Sequence, residues 1–327
     1  MHKVHANEID IHFKQCGQGP DVVMVHGLAA NLAFWYFRIV PSIAVKHRVT
    51  VYDLRGHGLS TMPLQGYTTR DHSADLLGLL DALNIKRAHL VGHSLGGAIC
   101  LHFATLHPDR VQSLCLIDCR VHGLQPLRDP NDDVYWGQRR KALEARGIPV
   151  ADNTPRVVYL MLDELATAGD STGQSSDSPG LPLVHGMWNS NSRAARHWKK
   201  LATTTSFARE IRQDAGLTAE VIRNISTPTL LSYGAESYCL ETCNRLQELL
   251  PQVRTVLHPG VGHFFPVSTP RLAVEDLLGF LNDSAHDNRR CIDPDDLPSL
   301  SVDGDRPPKV RTSRSSGRIL KTGSSHD

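Results

Sequence analysis

The sequence predicts an α/β fold, with a mostly parallel central sheet covered by helices on both faces and an inserted helical cap. Short strand-like runs alternate with segments of helical periodicity through residues 1–119, which is typical of such a sheet. One strand-like run ends in HLVG, turns on a serine between glycines and continues at once as the helical pattern SLGGAICLHF. Residues 120–220 carry charged helical segments without strand-like runs.

The first part of the core holds five strand-like runs and two long helical patterns. RDHSADLLGLLDALNI repeats apolar residues at helical spacing, and SLGGAICLHFATLH does the same after the serine;. The second helix is predicted to end at His107, because the residue before Pro108 is pushed out of helical geometry;. The predicted strands lie near residues 9–14, 21–26, 47–53, 87–92 and 111–118.

The remainder of the chain divides into a cap, the end of the core and a tail. Residues 120–220 are predicted to form the helical cap, or lid. The core resumes over 221–284, with strands near 227–234 and 254–260, each followed by a helical pattern;. Residues 285–327 are polar and rich in Pro, Ser and Arg. Since they offer too little apolar surface to offset the entropy cost of ordering, we predict a disordered tail.

Charge and hydropathy argue against several classes of protein. Lys and Arg total 35 against 34 for Asp and Glu, so no net field attracts nucleic acid or an anionic membrane. The opening residues MHKVHANEIDIHF lack an apolar leader, and no run approaches the roughly 20 apolar residues of a membrane span. We therefore predict a soluble, cytoplasmic protein without a nucleic-acid partner.

The seven cysteines are scattered and odd in number, which indicates reduced thiols rather than a disulfide framework. The pairs Cys115/Cys119 and Cys239/Cys243 lack the second pair or histidine cluster that completes a zinc-finger-like site;. We predict ordinary burial for these thiols, with neither a metal nor an organic cofactor.

Gly92-His93-Ser94-Leu95-Gly96 forms a G-x-S-x-G motif between a predicted strand and a predicted helix;. Such a strained turn lifts the serine hydroxyl above the sheet, at the positive end of the following helix. The Leu95 N–H is then a donor to a developing oxyanion. A serine that only caps a helix is the alternative interpretation.

Two distant segments favour a nucleophile at Ser94. His26-Gly27-Leu28 follows an apolar strand, where a turn brings the Leu28 N–H beside that of Leu95 as a second oxyanion donor;. His263 follows the last predicted strand, in a loop that can carry an imidazole to the serine as general base;.

With these motifs the chain resembles the α/β-hydrolase superfamily over nearly all of residues 5–284. The matching segments are VMVHG, VYDLRGHGLS, LVGHSLGGAI, RVQSLCLID and PGVGHFFP, in the family's order. The resemblance implies that Ser94 is the nucleophile, that His263 is the base, and that the amides of Leu28 and Leu95 form the oxyanion hole. It also implies a scaffold role for the charged residues of YDLRGHGLS.

The acid of the triad departs from the common family pattern. Many relatives carry it three residues after the glycine that closes the penultimate strand, and that position is Ser237 in this chain. Asp118 ends the strand after the nucleophile's helix, where some members of the superfamily place their acid, and it is our preferred assignment. Glu236 in the later loop is the alternative. A turn or helix cap is a competing interpretation of Asp118.

A serine nucleophile predicts acyl transfer, because dehalogenases and epoxide hydrolases of this superfamily attack with a carboxylate. We expect hydrolysis of a carboxylic ester or thioester of an apolar or aromatic small molecule through an acyl-enzyme. The alternatives are a serine-dependent C–C bond hydrolase, an acyltransferase, or a ligand-binding member of the superfamily without turnover.

Aromatic residues near the catalytic loops and in the cap are candidates for the substrate pocket. Packing of the cap against the sheet is the alternative interpretation for each of them. Basic pairs at Arg139-Arg140 and Lys199-Lys200 suggest a solvated face or, as an alternative, a coenzyme A or carrier-protein substrate. The pocket candidates are His93, Phe34, Trp35, Trp136, Trp188 and Phe264.

Overall fold

The computed structural model describes residues 2–126 and 193–287, together with positions 137, 141 and 145. Within them, the sheet has eight strands. They are β1 (His2–Ala6), β2 (Ile9–Cys16), β3 (Asp21–Val25), β4 (Arg48–Tyr52), β5 (Ala88–His93), β6 (Val111–Ile117), β7 (Thr229–Gly234) and β8 (Val253–His258).

The strand order is β1-β2-β4-β3-β5-β6-β7-β8. Two pairings are antiparallel, because β2 runs antiparallel to both of its neighbours, β1 and β4. The other five pairings are parallel. The predicted mostly parallel sheet is therefore confirmed, and the polar edge strand β1 is an addition that the sequence patterns did not indicate.

Helices cover both faces of the sheet. The capping box at Thr68, whose hydroxyl accepts from the Asp71 N–H while the Asp71 carboxylate accepts from the Thr68 N–H, starts the third helix;. The helices are α1 (Ala33–Tyr36), α2 (Val40–Ile43), α3 (Thr69–Ala82), α4 (Leu95–Leu106), α5 (Arg193–Thr204), α6 (Phe207–Glu210), α7 (Ala219–Ile222), α8 (Leu240–Leu249), α9 (Phe265–Ser268) and α10 (Pro270–Asp287).

Successive residues of β3 point to opposite faces of the sheet, so each strand supplies two apolar cores. Val23 and Val25 belong to a core built with α3, α4 and α8. Val22 and Met24 belong to a second core, with α2 and α10 on the other face. Because both cores consist of buried apolar side chains, close packing holds the strands between the two helical layers.

The direction of chain connection reverses between β3 and β5, which are neighbours in the sheet. From β3 the chain continues to β4 on one side, whereas from β5 it continues to β6 on the other. In open α/β sheets the crevice outside the carboxyl ends of two such strands is the usual ligand site. Val25 pairs with Gly92 there, so the loops after β3 and β5 begin at the same level.

The predicted cap is described only at its flanks, and those flanks contain no strand. In the described part, Trp198 of α5 is buried against His57 and Phe207. Helix α10 continues through Asp287 and so includes the first three residues of the predicted tail, 285–287. The remaining residues predicted as tail, 288–327, lie outside the described residues, so the cap and tail assignments stay predictions.

Six of the seven cysteines lie in the described segments, and all six are free thiols. This agrees with the prediction of reduced cysteines; Cys291 lies outside these segments. None of the helices in the described part of the chain is long and apolar enough to cross a membrane.

Candidate active site

The turn at Ser94 joins β5 directly to α4 and has a strained backbone. Ser94 adopts φ 54° and ψ −119°, a conformation that costs energy for a residue with a side chain. Glycine on either side permits this tight turn, because neighbouring main-chain atoms lie so close to Gly92 and Gly96 that a side chain would not fit. A Cβ on Gly92 would lie 2.3 Å from the Gly96 carbonyl oxygen, and one on Gly96 would lie 2.2 Å from that of Val25.

Ser94 lies on the wall of a cavity of about 80 Å³, together with Leu28 and Leu95. Leu95 is the first residue of α4, so its N–H has no acceptor within the helix;. The Leu28 N–H makes no hydrogen bond to any other described residue. The cavity therefore brings the serine to the two predicted oxyanion donors.

Two buried histidines fix the loop that carries Leu28. His26 donates from Nδ1 to the Gly27 carbonyl oxygen at 2.8 Å, and its Nε2 accepts from the Leu54 N–H at 3.1 Å. His57 accepts from the Ala29 N–H at 3.3 Å through Nε2. Burial lowers the pKa of His26 and lowers that of His57 to about 3, so these contacts are made by neutral rings.

Asp53, from the segment YDLRGHGLS, connects three parts of the core. Its carboxylate accepts from the Leu32 N–H at 2.8 Å and from the Leu59 N–H at 2.9 Å. It also lies 2.8 Å from His12 Nδ1 on β2. These contacts are those of a scaffold residue, as the resemblance implied.

His263 lies in the loop after β8 and is 4% exposed. Its Nδ1 is 3.6 Å from Asp118 Oδ1 and 3.6 Å from Cys239 Sγ. The ring packs against those of His93 and Tyr238, with both centroid distances at 4.6 Å. The imidazole therefore has two ring neighbours, and a carboxylate and a thiol lie beside Nδ1.

Asp118 follows β6 and is fully buried. It adopts φ 43°, a strained value that aspartate tolerates better than most residues. Its Oδ2 accepts from the Gly234 N–H at 2.9 Å, which ties the carboxylate to the main chain at the end of β7. Its Oδ1 is buried without a hydrogen-bond partner in the described structure and is the oxygen that faces His263.

Glu236, the alternative acid, has a different environment. Its main-chain N–H donates to the Val261 carbonyl oxygen at 3.0 Å, and its side chain is only half-buried. Ser237, at the common family position, uses its hydroxyl to accept from the Cys239 N–H at 3.1 Å. Among the carboxylates of the described residues, the ion pair to His263 is made by Asp118.

His93 immediately precedes Ser94 and connects the serine turn to the His263 loop. Its Nε2 lies 3.0 Å from the His263 carbonyl oxygen; because that oxygen can only accept, Nε2 carries the proton. Burial, together with the charge of His263, lowers the pKa of His93 well below its usual range. The ring is therefore neutral, with a buried Nδ1 that has no partner in the described segments.

The cavity wall differs from the predicted pocket. His93 packs against His263, Phe34 stacks on His93 at 4.6 Å, and Phe264 meets the edge of His263 at 4.9 Å. Trp35 is fully buried in the core. These four rings are not among the cavity-lining residues, and they support the imidazoles instead; Trp136 and Trp188 lie outside the described residues. The wall beyond Ser94, Leu28 and Leu95 consists of Thr69, Ala98, Arg120, Val121, His122, Gly123, Ile211, Gln213, Asp214 and Leu217.

No hydrogen bond joins Ser94 to His263 in the described part of the chain. Catalytic hydrogen bonds are often long without substrate and tighten in the complex. The sequence patterns did not indicate the contacts of Cys239 and Tyr238 with His263. Both residues lie shortly after Gly234, in the same loop as Glu236 and Ser237.

Comparison with known proteins agrees with this architecture. The family model described as "alpha/beta hydrolase fold" matches residues 20–270, and the chain therefore belongs to the α/β-hydrolase family. Proteins named as hydrolases match along most of the chain, which identifies it as a hydrolase enzyme.

Three relatives illustrate this likeness. A protein named as a carbamate hydrolase, RutD, of Variovorax paradoxus (strain S110) is 39% identical over 83% of this chain and 96% of its own length. A dihydrolipoyllysine-residue acetyltransferase component of the acetoin cleaving system of Pseudomonas putida is 46% identical over 99 residues, which are 30% of this chain and 26% of that protein. The solved structure of Est816, titled an N-acyl homoserine lactone degrading enzyme, superposes with a TM-score of 0.65 at 26% identity, covering 85% of this chain and 100% of Est816.

Proposed function

We propose that this hydrolase cleaves a carboxylic ester or thioester of a small apolar or aromatic molecule through an acyl-enzyme on Ser94. The observation that carries the proposal is the strained Ser94 turn, which opens with the Leu28 and Leu95 amides onto one cavity. A serine at a strained turn that lines the same cavity as two residues with N–H groups free of acceptors in the described structure suits attack on a carbonyl. The ion pair of His263 with Asp118 supports general-base catalysis beside this turn;.

In the proposed mechanism, the Ser94 oxygen attacks the substrate carbonyl carbon as its proton passes to His263 Nε2. The amides of Leu28 and Leu95 bind the oxyanion of the tetrahedral intermediate. His263 then gives the proton to the leaving oxygen or sulfur, and the acyl group stays on Ser94. Water, activated by His263, releases the acid and restores the serine.

Asp118 is proposed as the acid of the triad. Its Oδ1 lies 3.6 Å from His263 Nδ1, and the hydrogen bond from Gly234 to Oδ2 fixes the carboxylate plane. A buried carboxylate in this position stabilises the imidazolium that forms during attack. Glu236 lacks such a contact in the described structure, so we assign it no catalytic role.

The cavity supports a small acyl group as the part of the substrate nearest Ser94. Leu95, Ala98, Val121 and Leu217 give it apolar walls. Its volume of about 80 Å³ and its apolar walls suit a short acyl chain.

A carbamate is the second candidate substrate class. The RutD relative, which matches 83% of this chain at 39% identity, is named as a carbamate hydrolase. A carbamate carbonyl is attacked by the same serine and its oxyanion is bound by the same two amides, so the proposed machinery serves both reactions.

The test is fluorophosphonate labelling combined with turnover of p-nitrophenyl acetate and of a small carbamate. Wild-type protein should be labelled on Ser94 and turn over at least one substrate, whereas folded Ser94→Ala should do neither. Lack of labelling in the folded wild type would contradict an activated serine, because the probe reacts with a serine that its general base activates and does not depend on the identity of the natural substrate.

A further inference from the structure

Three side chains of the types that bind metals meet at Nδ1 of the His263 ring. Asp118 Oδ1, Cys239 Sγ and His263 Nδ1 all lie within 4.8 Å of one another. They come from the loops after β6, β7 and β8, which are adjacent strands of the sheet. All three side chains are buried, so the cluster lies inside the protein rather than on a solvated acidic surface.

The separations of the donor atoms are close to those of a tetrahedral zinc site. Zn–S distances of about 2.3 Å and Zn–N distances of about 2.0–2.1 Å place a sulfur and a nitrogen ligand about 3.6 Å apart; a nitrogen and an oxygen ligand are about 3.3 Å apart. The corresponding distances from His263 Nδ1 are 3.6 Å to Cys239 Sγ and 3.6 Å to Asp118 Oδ1. Both distances from Nδ1 therefore lie within a few tenths of an ångström of those in a coordinated site, and the third separation, between Oδ1 and Sγ, is at most 4.8 Å.

Asp118 supplies an independent indication of a ligand. Its Oδ1 is fully buried and has no hydrogen-bond partner in the described segments, while the Gly234 N–H holds Oδ2 and so fixes the direction of Oδ1. A buried acceptor without a partner costs free energy. A cation between Oδ1 and the two neighbouring donors would remove that cost.

We propose that Asp118, Cys239 and His263 form an inhibitory binding site for Zn²⁺ or another thiophilic divalent cation of similar size. A dication with one carboxylate, one thiolate and a neutral imidazole gives a site without net charge, which is the combination that burial tolerates best. Imidazole and thiolate ligands also favour zinc over Mg²⁺ and Ca²⁺.

Inhibition follows from the position of the imidazole proton and rests on the proposed function of His263. When the cation binds Nδ1, the single N–H proton of the neutral ring moves to Nε2, and the thiol proton of Cys239 leaves to solvent. Nε2–H has no lone pair to accept the proton of Ser94. The metal binds Asp118 at the same time. His263 can then no longer act as the base, and Asp118 can no longer stabilise its imidazolium.

Cys243 offers a matched control close by: it lies in the first turn of α8, and Cys239 is the N-cap residue of that helix. It is a buried free thiol, like Cys239, and lies one turn further along α8. It does not belong to the cluster around His263. Cys243→Ser therefore removes a thiol from the same region without removing a proposed ligand.

Metal binding is measured first, without reference to activity, by adding Co²⁺ to the full-length protein as a spectroscopic substitute for zinc. Wild-type protein and Cys243→Ser should show the near-ultraviolet thiolate-to-cobalt absorption. Added Zn²⁺ should abolish this absorption by displacing the Co²⁺. Cys239→Ser should lose it and Asp118→Asn should weaken it; Cys239→Ala replaces Cys239→Ser if that variant does not fold. Equal absorption in wild type and folded Cys239→Ser, or none in wild type, would overturn the site.

Inhibition is measured second, as the rate at which a fluorophosphonate labels Ser94. Zinc should slow labelling at least tenfold in wild type and Cys243→Ser, and EDTA should restore the rate. Folded Cys239→Ser should show less than a twofold effect. Cobalt absorption without any labelling of the metal-free protein would uphold the site and contradict the proposed function, whereas labelling that zinc leaves unchanged would overturn the inhibitory role.

Discussion

His93 donates a hydrogen bond from Nε2 to the carbonyl oxygen of His263 at 3.0 Å, and the two rings lie 4.6 Å apart. The residue before the serine therefore holds the main chain of the loop that carries the imidazole. Sequence reasoning placed His93 at the substrate pocket, whereas its burial and its partner indicate a positioning residue.

Removal of this hydrogen bond should lower turnover more than substrate binding. For His93→Leu we expect kcat on p-nitrophenyl acetate to fall about 10-fold with KM changed less than about threefold, since an unpaired buried carbonyl costs about 1–3 kcal/mol. His93→Gln keeps a donor and should recover part of the loss. A fall confined to KM would show that His93 contacts substrate instead.

The assignment of the acid can be tested by paired amide substitutions. Asp118→Asn should lower kcat roughly 1,000- to 10,000-fold, the scale expected when the acid beside a catalytic histidine is neutralised. Glu236→Gln should stay within about twofold of wild type, because its side chain is half-buried and makes no ion pair to His263 in the described structure. The reverse outcome, in folded proteins, would transfer the role to Glu236.

The close packing of the serine turn should make it intolerant of a single methyl group. A Cβ on Gly96 would lie 2.2 Å from the Val25 carbonyl oxygen, so Gly96→Ala should lower the free energy of unfolding by at least about 2 kcal/mol. Gly279, on helix α10, has no heavy atom within 4 Å of an added Cβ. Gly279→Ala should therefore raise stability by about 0.5–1 kcal/mol. Urea unfolding of both variants checks the contrast.

The small cavity should make the enzyme selective for short acyl chains. We expect kcat/KM for p-nitrophenyl esters to fall from acetyl to hexanoyl, since the cavity measures about 80 Å³. Leu217 lines this cavity and is buried, whereas Leu257 on β8 is 52% exposed. Leu217→Ala should shift the preference several-fold toward longer chains, and Leu257→Ala should leave it unchanged. An unaltered profile in folded Leu217→Ala would show that the acyl group binds elsewhere.

Stability should decrease in mild acid because several histidines are buried as neutral rings. Burial lowers the pKa of His57 to about 3 and those of His89 and His102 to about 4. Below the unfolded value of about 6.5 the unfolded chain binds protons that the folded chain does not, so each ring costs about 2 kcal/mol at pH 5. This loss begins as pH falls below about 6.5 and continues toward the folded pKa values.

Denaturant unfolding at pH 7.5 and pH 5.0 measures this difference. His57→Gln should reduce the difference by about 2 kcal/mol, because one proton uptake on unfolding is removed. His5→Asn is the control, since the His5 side chain is 73% exposed and should leave the difference unchanged. Equal stability of the wild type at both pH values would contradict the neutral buried histidines.

The parallel core could be predicted from the sequence because the patterns that indicate its strands and helices are local. Alternation of strand-like runs with helical periodicity predicted β2 to β8, and Pro108 predicted the end of α4, which the structure places at Leu106. The polar strand β1 was missed, since edge strands need no apolar pattern.

At the site, Ser94 follows from a motif, but the contacts of Cys239 and Tyr238 with His263 depend on how two distant loops meet in space. Burial of Trp35 and the packing of Phe34 on His93 depend likewise on tertiary structure rather than on residue type.

The hydrogen bond from the Gly234 amide to Asp118 Oδ2 has a consequence for how relatives of this protein can diverge. The carboxylate is anchored to main chain at the ends of two adjacent strands, and not to any side chain of the loop that follows β7. Under the proposed assignment of Asp118, residues 235–239 do not have to supply the acid. The loop can therefore differ in length and sequence, and carry a thiol beside the imidazole, without displacing the carboxylate that faces His263.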